Sequence, residues 1–118
     1  MRTKEVAKHF GITVQTLRYW ERSGLLSPVP KDSNGYRDYD DDNLEQVKFV
    51  VCMRATGMSI AALKKYMMLF AVGPSTIDER KSLLANQVKS IDAQMESLRS
   101  AKKLLTYKIE HYEELFGK

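Results

Sequence analysis

The 118-residue chain has one cysteine, two histidines and three prolines, and no apolar run approaches the roughly 18 residues a membrane span requires. One cysteine cannot close an internal disulfide, so nothing points to an oxidising compartment. His9 and His111 are too few and too scattered for a metal site, and each is expected to be a surface or packing residue. The opening stretch MRTKEVAKHFG lacks the apolar segment of a secretory signal, which predicts a cytoplasmic protein. No His or carboxylate pattern would activate Cys52 for turnover, so no enzyme, catalytic residue or cofactor is expected.

At 43% hydrophobic and 29% charged, the chain has the composition of a folded soluble domain and not of a disordered one. Its net charge of +4 is unevenly placed. Residues 1–37 hold seven bases and three acids, whereas residues 38–118 balance twelve with twelve. A basic head on a neutral body is the electrostatic footprint of polyanion binding.

Val6, Ala7 and Phe10 recur at helical spacing after Thr3, a candidate N-cap, until Gly11 stops the helix and Ile12 tucks under the turn. Thr13 caps a second helix carrying Leu17 and Trp20, and Ser23-Gly24 ends it. Two short helices joined by a tight glycine turn predict a helix-turn-helix. Asn34-Gly35 then signals a hairpin, read as a two-stranded wing with Tyr36, Arg37 and Tyr39 on its returning strand. Asp40, Asp41 and Asp42 suit the positive end of a third helix with Leu44, Val47, Val51, Ala55 and Met58 on one face. Gly57 breaks it, and Ser59 caps a fourth helix with Ile60, Leu63, Tyr66, Met67 and Phe70 as its buried stripe.

Gly73-Pro74 closes the expected head at 1–73, and residues 74–118 are read as a coiled-coil dimerisation helix, roughly 60 Å long. Steps of four and three place Ile77, Leu84, Ile91, Leu98, Leu105 and Tyr112 at d. Lys81, Val88, Met95, Lys102, Ile109 and Phe116 fall at a. Such a seam needs a partner helix, most simply a second copy. Parallel pairing would oppose Lys81 and Lys102 to their own copies, so an antiparallel homodimer is expected. The fold class is therefore mainly α, a winged helix-turn-helix head with a helix pair and a long C-terminal coiled-coil helix.

Together VAKHFGITVQTLRYWERSGLL, NGYRDYD and the terminal seam resemble the MerR family of bacterial transcription regulators across essentially the whole chain. The string T-L-R-Y-W-E-x-x-G-L-L followed by G-Y-R-D-Y is specific, with Trp20 where many relatives carry Tyr. The resemblance implies a dimer on double-stranded promoter DNA, working with RNA polymerase by bending and untwisting an overlong spacer. It also implies site residues. Val14, Gln15, Arg18 and Tyr19 lie on or near the leading face of the second helix, with Gln15 and Arg18 suited to base edges. Thr13, Thr16, Trp20, Lys31, Tyr36, Arg37 and Arg54 suit phosphate. Trp20 serves phosphate or core with equal weight, and packing is also open to Tyr19 and Tyr36.

The chain shows neither the large C-terminal domain of drug-binding members nor the clustered cysteines of metal-binding ones. A lone Cys52 on the third helix resembles the NmlR and AdhR branch, linked to carbonyl and nitrosative stress. It implies an activator whose Cys52, near Lys48 and Arg54, is modified by an aldehyde or other electrophile. A small buried hydrophobe is the plainer role for Cys52. A repressor, a non-sensing DNA-binding factor and a coiled-coil adaptor with a basic head are the alternatives.

Overall fold

The computed structural model describes residues 1–117; Lys118, the last residue of the expected coiled-coil segment, lies outside them. α1 (Thr3–Phe10) and α2 (Val14–Arg22) pack together and bury Val6, Ala7, Leu17 and Trp20. Arg2, and not Thr3, is the cap residue of α1, and the Glu5 carboxylate reaches back to accept its backbone N–H at 3.3 Å. Ile12 packs against the core below the turn, its N–H donating to the Ala7 carbonyl at 2.9 Å. Thr13 caps α2 by accepting the Thr16 N–H at 3.0 Å, a contact worth ~1 kcal/mol.

α3 (Asp41–Ala55) starts at an Asp40 cap, whose carboxylate accepts the Asn43 N–H at 2.8 Å while the Asn43 side chain accepts the Asp40 N–H at 2.9 Å. Its buried residues are Asn43, Val47 and Val50; Leu44 and Val51 are half-buried and Ala55 is exposed. The expected stripe is displaced because α3 packs against α1 and also meets α4 (Ile60–Val72), where Phe49 and Tyr66 lie 5.2 Å apart. Ser59 caps α4 as expected, accepting the Ala62 N–H at 3.0 Å. α4 buries Leu63 and Met67, but Phe70 is 47% exposed.

The wing is a hairpin with a single antiparallel bridge, Lys31 to Arg37, and no strand forms among the described residues. Pro28 and Pro30 bring no N–H to a ladder, which keeps the pairing short. The Gly35 N–H closes the turn on the Asp32 carbonyl at 3.0 Å, and Gly35 alone takes a positive φ of 82°. Inside the turn the Asp32 carboxylate accepts the N–H groups of Asn34 (2.9 Å) and Tyr36 (3.0 Å). Arg2 is ion-paired with Asp32 and lies 5.4 Å over the Tyr36 ring. The Arg2 hydrogen bond, then those backbone N–H groups, holds the Asp32 carboxyl below its ordinary range. Tyr39 is a core residue at 3% exposure, not a wing residue, and burial pushes its phenol up.

One ion pair fastens this wing to α2. Arg37 Nε donates to Glu21 Oε1 at 3.0 Å and Oε2 at 2.8 Å, and Oε1 also accepts the Val29 N–H at 3.3 Å. The Glu21 side chain is only 13% exposed, so solvent screens the contact weakly.

The chain divides into two compact units, Met1–Leu83 and the part from Leu84 onward. α5 (Ile77–Glu110) follows a short 3₁₀ turn (Pro74–Thr76) and buries none of its residues. Leu98 and Ile109 are 71% and 76% exposed. The expected unbroken helix stops at Glu110, and α6 (Tyr112–Phe116) follows as a separate turn of helix. His111 sits at the break with φ −114° and ψ 18°, its Nδ1 3.0 Å from the Tyr107 carbonyl and its ring stacked 4.3 Å from that of Tyr107. That local bonding draws His111 off helical dihedrals.

Arg37→Met keeps the side-chain length but removes the donor beside a mostly buried carboxylate. It is expected to cost ~2 kcal/mol in urea unfolding; a loss below ~0.5 kcal/mol would show the pair to be incidental. Asp32 should titrate by NMR with a midpoint below the ~3.9 of a free aspartate. Arg2→Gln should raise that midpoint. Because the folded value is depressed, the contribution of Asp32 to the wing is present above ~3.9 and is lost as pH falls through the folded value.

Candidate nucleic-acid interface

α2 divides cleanly by periodicity. Leu17 and Trp20 face the core and Glu21 faces the wing, whereas Gln15, Arg18, Tyr19 and Arg22 lie on one exposed face at i, i+3, i+4 and i+7. Thr13 and Thr16 stand at the helix N-terminus with their hydroxyls 2.9 Å apart, and Val14 packs partly against the core. Lys31 and Tyr36 are exposed on the wing, Tyr36 at 65%. This is a helix end and a hairpin presenting donors, with an exposed aromatic ring held under a guanidinium.

Three expected phosphate contacts look different in three dimensions. Trp20 is 7% exposed and belongs to the core, because position 20 falls on the inner face of α2 with Leu17. Arg37 has its Nε committed to Glu21 and acts first as a structural clamp. Arg54 is exposed, but its Nη1 donates to the Met58 carbonyl at 2.6 Å, closing the turn after α3.

Two residues passed over by the sequence reading join the surface. Arg22 shares the face of Arg18, and helical spacing could have found it. Arg2 reaches the wing only through a contact thirty residues away in the chain, for which no sequence signal exists. Two of the three acids in residues 1–37, Glu21 and Asp32, are matched by Arg37 and Arg2. The positive field of Arg18, Arg22 and Lys31 is therefore locally stronger than the net charge suggests.

Cys52 is exposed in the last turns of α3, which sets aside the small buried hydrophobe that sequence also offered. Lys48, one turn earlier, is exposed as well. His9 and His111 make ring contacts with Phe10 and Tyr107, and no cluster able to hold a metal ion occurs among the described residues. No described helix is long and apolar enough to cross a membrane. Along α5 and α6 the seam residues Ile77, Val88, Met95, Leu98, Leu105, Ile109, Tyr112 and Phe116 are all exposed, with Leu84 and Ile91 half-buried. A stripe this apolar is the mark of an association surface.

Residues 1–69 match the family described as MerR HTH family regulatory protein, and residues 44–107 match that described as MerR, DNA binding. The regulator AdhR of Bacillus subtilis (strain 168) is 46% identical over 87 residues, 74% of this chain and 62% of AdhR, so under two thirds of that relative is spanned. An uncharacterised HTH-type transcriptional regulator of Haemophilus influenzae is 35% identical over 111 residues, 94% of this chain and 82% of that protein. Among solved structures, HiNmlR, a MerR family regulator lacking the sensor domain and bound to promoter DNA, gives a TM-score of 0.87 at 34% identity, covering 99% of this chain and 94% of its own. A MerR family regulator from Listeria monocytogenes gives 0.88 at 32% identity, with 96% and 86% covered. Matched by family over more than half its length and carrying the helix-turn-helix, wing and long terminal helix just described, the chain belongs to the MerR family of transcriptional regulators, in its AdhR/NmlR-like branch.

Proposed function

We propose that the protein is a homodimeric promoter-binding regulator that responds to electrophile stress through Cys52. The observation that carries the DNA-binding part is the exposed face of α2, where Gln15, Arg18, Tyr19 and Arg22 stand clear of a core built by Leu17 and Trp20. A helix presenting such a face enters the major groove, with Gln15 matched to adenine and Arg18 to the O6 and N7 acceptors of guanine. Val14 supplies an apolar contact of the kind that meets a thymine methyl. Thr13, Thr16, Arg22, Lys31 and Tyr36 fix register through phosphate, and the remaining guanidinium N–H groups of Arg54 extend the same contact. The likeness to HiNmlR, solved bound to promoter DNA, supports the DNA-binding reading.

The seam supports an antiparallel dimer. When helices run in opposite directions, each a position faces a d position. One register pairs the seam positions of α5: Val88 meets Leu105, Met95 meets Leu98, and Ile109 meets Leu84. In it Lys102 faces Ile91, and the position opposite Lys81 lies past the break at His111, so neither lysine opposes its own copy. Two heads are thus held on the two halves of a pseudo-palindrome, and RNA polymerase gains from the deformation of the spacer between promoter elements.

An exposed thiol sharing a helix face with Lys48 is open to a small aldehyde. The sulfur adds to the carbonyl carbon, forming a C–S bond, while the π electrons pass to the oxygen, which takes up the thiol proton. The product is a hemithioacetal, and no oxidant is consumed. The kinship with AdhR supports this assignment.

Arg18→Ala is expected to cost ~1–3 kcal/mol in operator binding and to relax specificity at one base of each half-site. Lys31→Ala should weaken all sequences alike and reduce the slope of log affinity against log salt by about one per contact removed. A slope near zero for the wild type would refute the phosphate-contact reading. In a promoter transcription assay, Cys52→Ala should bind the operator as the wild type does but give no added transcript with methylglyoxal or formaldehyde. Intact-mass measurement should find one adduct more on the wild type than on the variant, which keeps the same amines and guanidiniums. A variant that still responds fully removes Cys52 from the mechanism and leaves the DNA-binding reading standing.

A further inference from the structure

The connection between α4 and α5 is cross-linked beyond what turning a chain requires. Gly73 ends α4 at φ 107° and ψ −158°, a region essentially reserved for glycine, and Pro74 starts the 3₁₀ turn that follows. Thr76 is one of the few buried polar residues of the head, at 8% exposure. Its hydroxyl stands 2.6 Å from the Leu69 carbonyl and 2.8 Å from the Gly73 carbonyl, donating between two acceptors at the end of α4 that also take the Gly73 and Thr76 N–H groups. The same oxygen accepts Arg80 Nε at 3.0 Å. Arg80 Nη2 donates to the Gly73 carbonyl at 3.2 Å, and its guanidinium lies 5.3 Å over the Phe70 ring. One side chain from the 3₁₀ turn and one from the first turn of α5 therefore hold the end of α4, through the backbone and through an aromatic face.

We infer that Thr76 and Arg80 are positioning residues that set the angle at which α5 leaves the head and, through it, the half-site spacing the dimer accepts. The inference rests on the dimeric promoter-binding reading above. Its force is leverage. α5 has 34 residues and is roughly 50 Å long at 1.5 Å per residue. A rotation of ~10° where it begins displaces its far end by ~9 Å, against a base-pair rise of ~3.4 Å. A dimer that imposes a fixed separation on two recognition helices needs this junction stiff, because half-site spacing is read as geometry.

The test uses a duplex that the wild-type protein enriches from a random pool, remade with one or two base pairs inserted or removed at its centre, together with a duplex holding one half-site. Wild type should discriminate against a two-base-pair change on the order of tenfold. Thr76→Val, isosteric without the hydroxyl, should keep single half-site affinity within about twofold and remain dimeric, while its spacing discrimination falls to about threefold or its optimum moves. Thr76→Ser, which keeps the hydroxyl, should restore the wild-type profile. Should Thr76→Val fail to fold on melting, Arg80→Met, with the threonine intact, carries the same expectation. A folded Thr76→Val or Arg80→Met with the wild-type spacing profile overturns the inference and leaves the dimer reading in place. A wild type indifferent to spacing overturns both.

Discussion

The Glu21 carboxylate is the contact on which the head is organised. Its two oxygens take Arg37 Nε and the Val29 N–H, so one mostly buried side chain on α2 holds both the entry and the return of the wing. The wing has one backbone bridge and could not keep its place by pairing alone. Leu17 and Trp20 drive the same side of α2 into the core. With three inward positions spent on structure, the residues between them are forced outward together. The exposed polar face of α2 is thus the complement of the packing surface on a single nine-residue helix.

Charge acts through the same pairing. A net +4 is modest, but Glu21 and Asp32 are drawn into contacts with Arg37 and Arg2. What remains exposed around α2 and the wing tip is positive. Local sorting of acids, more than their number, makes the surface attractive to a polyanion. The remainder of the chain, residues 38–118, balances its charges and adds no field of one sign.

Much of this was legible because capping and periodicity are local. Thr13, Asp40 and Ser59 each cap the helix that sequence placed there, since the side chain and the N–H it satisfies lie within three residues. The long terminal helix was legible for the same reason. The failures are nonlocal. The α3 stripe moved because α3 packs against α1 and also meets α4, and Tyr39 went inside because the fold closed over it. Asn34-Gly35 predicted the hairpin, yet its tightness depends on Asp32, whose side chain does the work expected of two positive-φ residues. His111 broke the terminal helix with no Gly or Pro to announce it.

The sequence by itself determined where the second, third and fourth helices are capped, that the first third is basic, that the last third carries an apolar stripe at helical spacing, and that there is one thiol. Each follows from spacing or composition, which survive without a fold. Only the tertiary structure decided which arginines are clamps and which are free, that Cys52 faces out, and that Thr76 and Arg80 close on the end of α4. An ion pair or a buried hydroxyl is defined by what stands opposite it, and for Glu21 and Arg37 that is a residue on another element, sixteen positions along the chain.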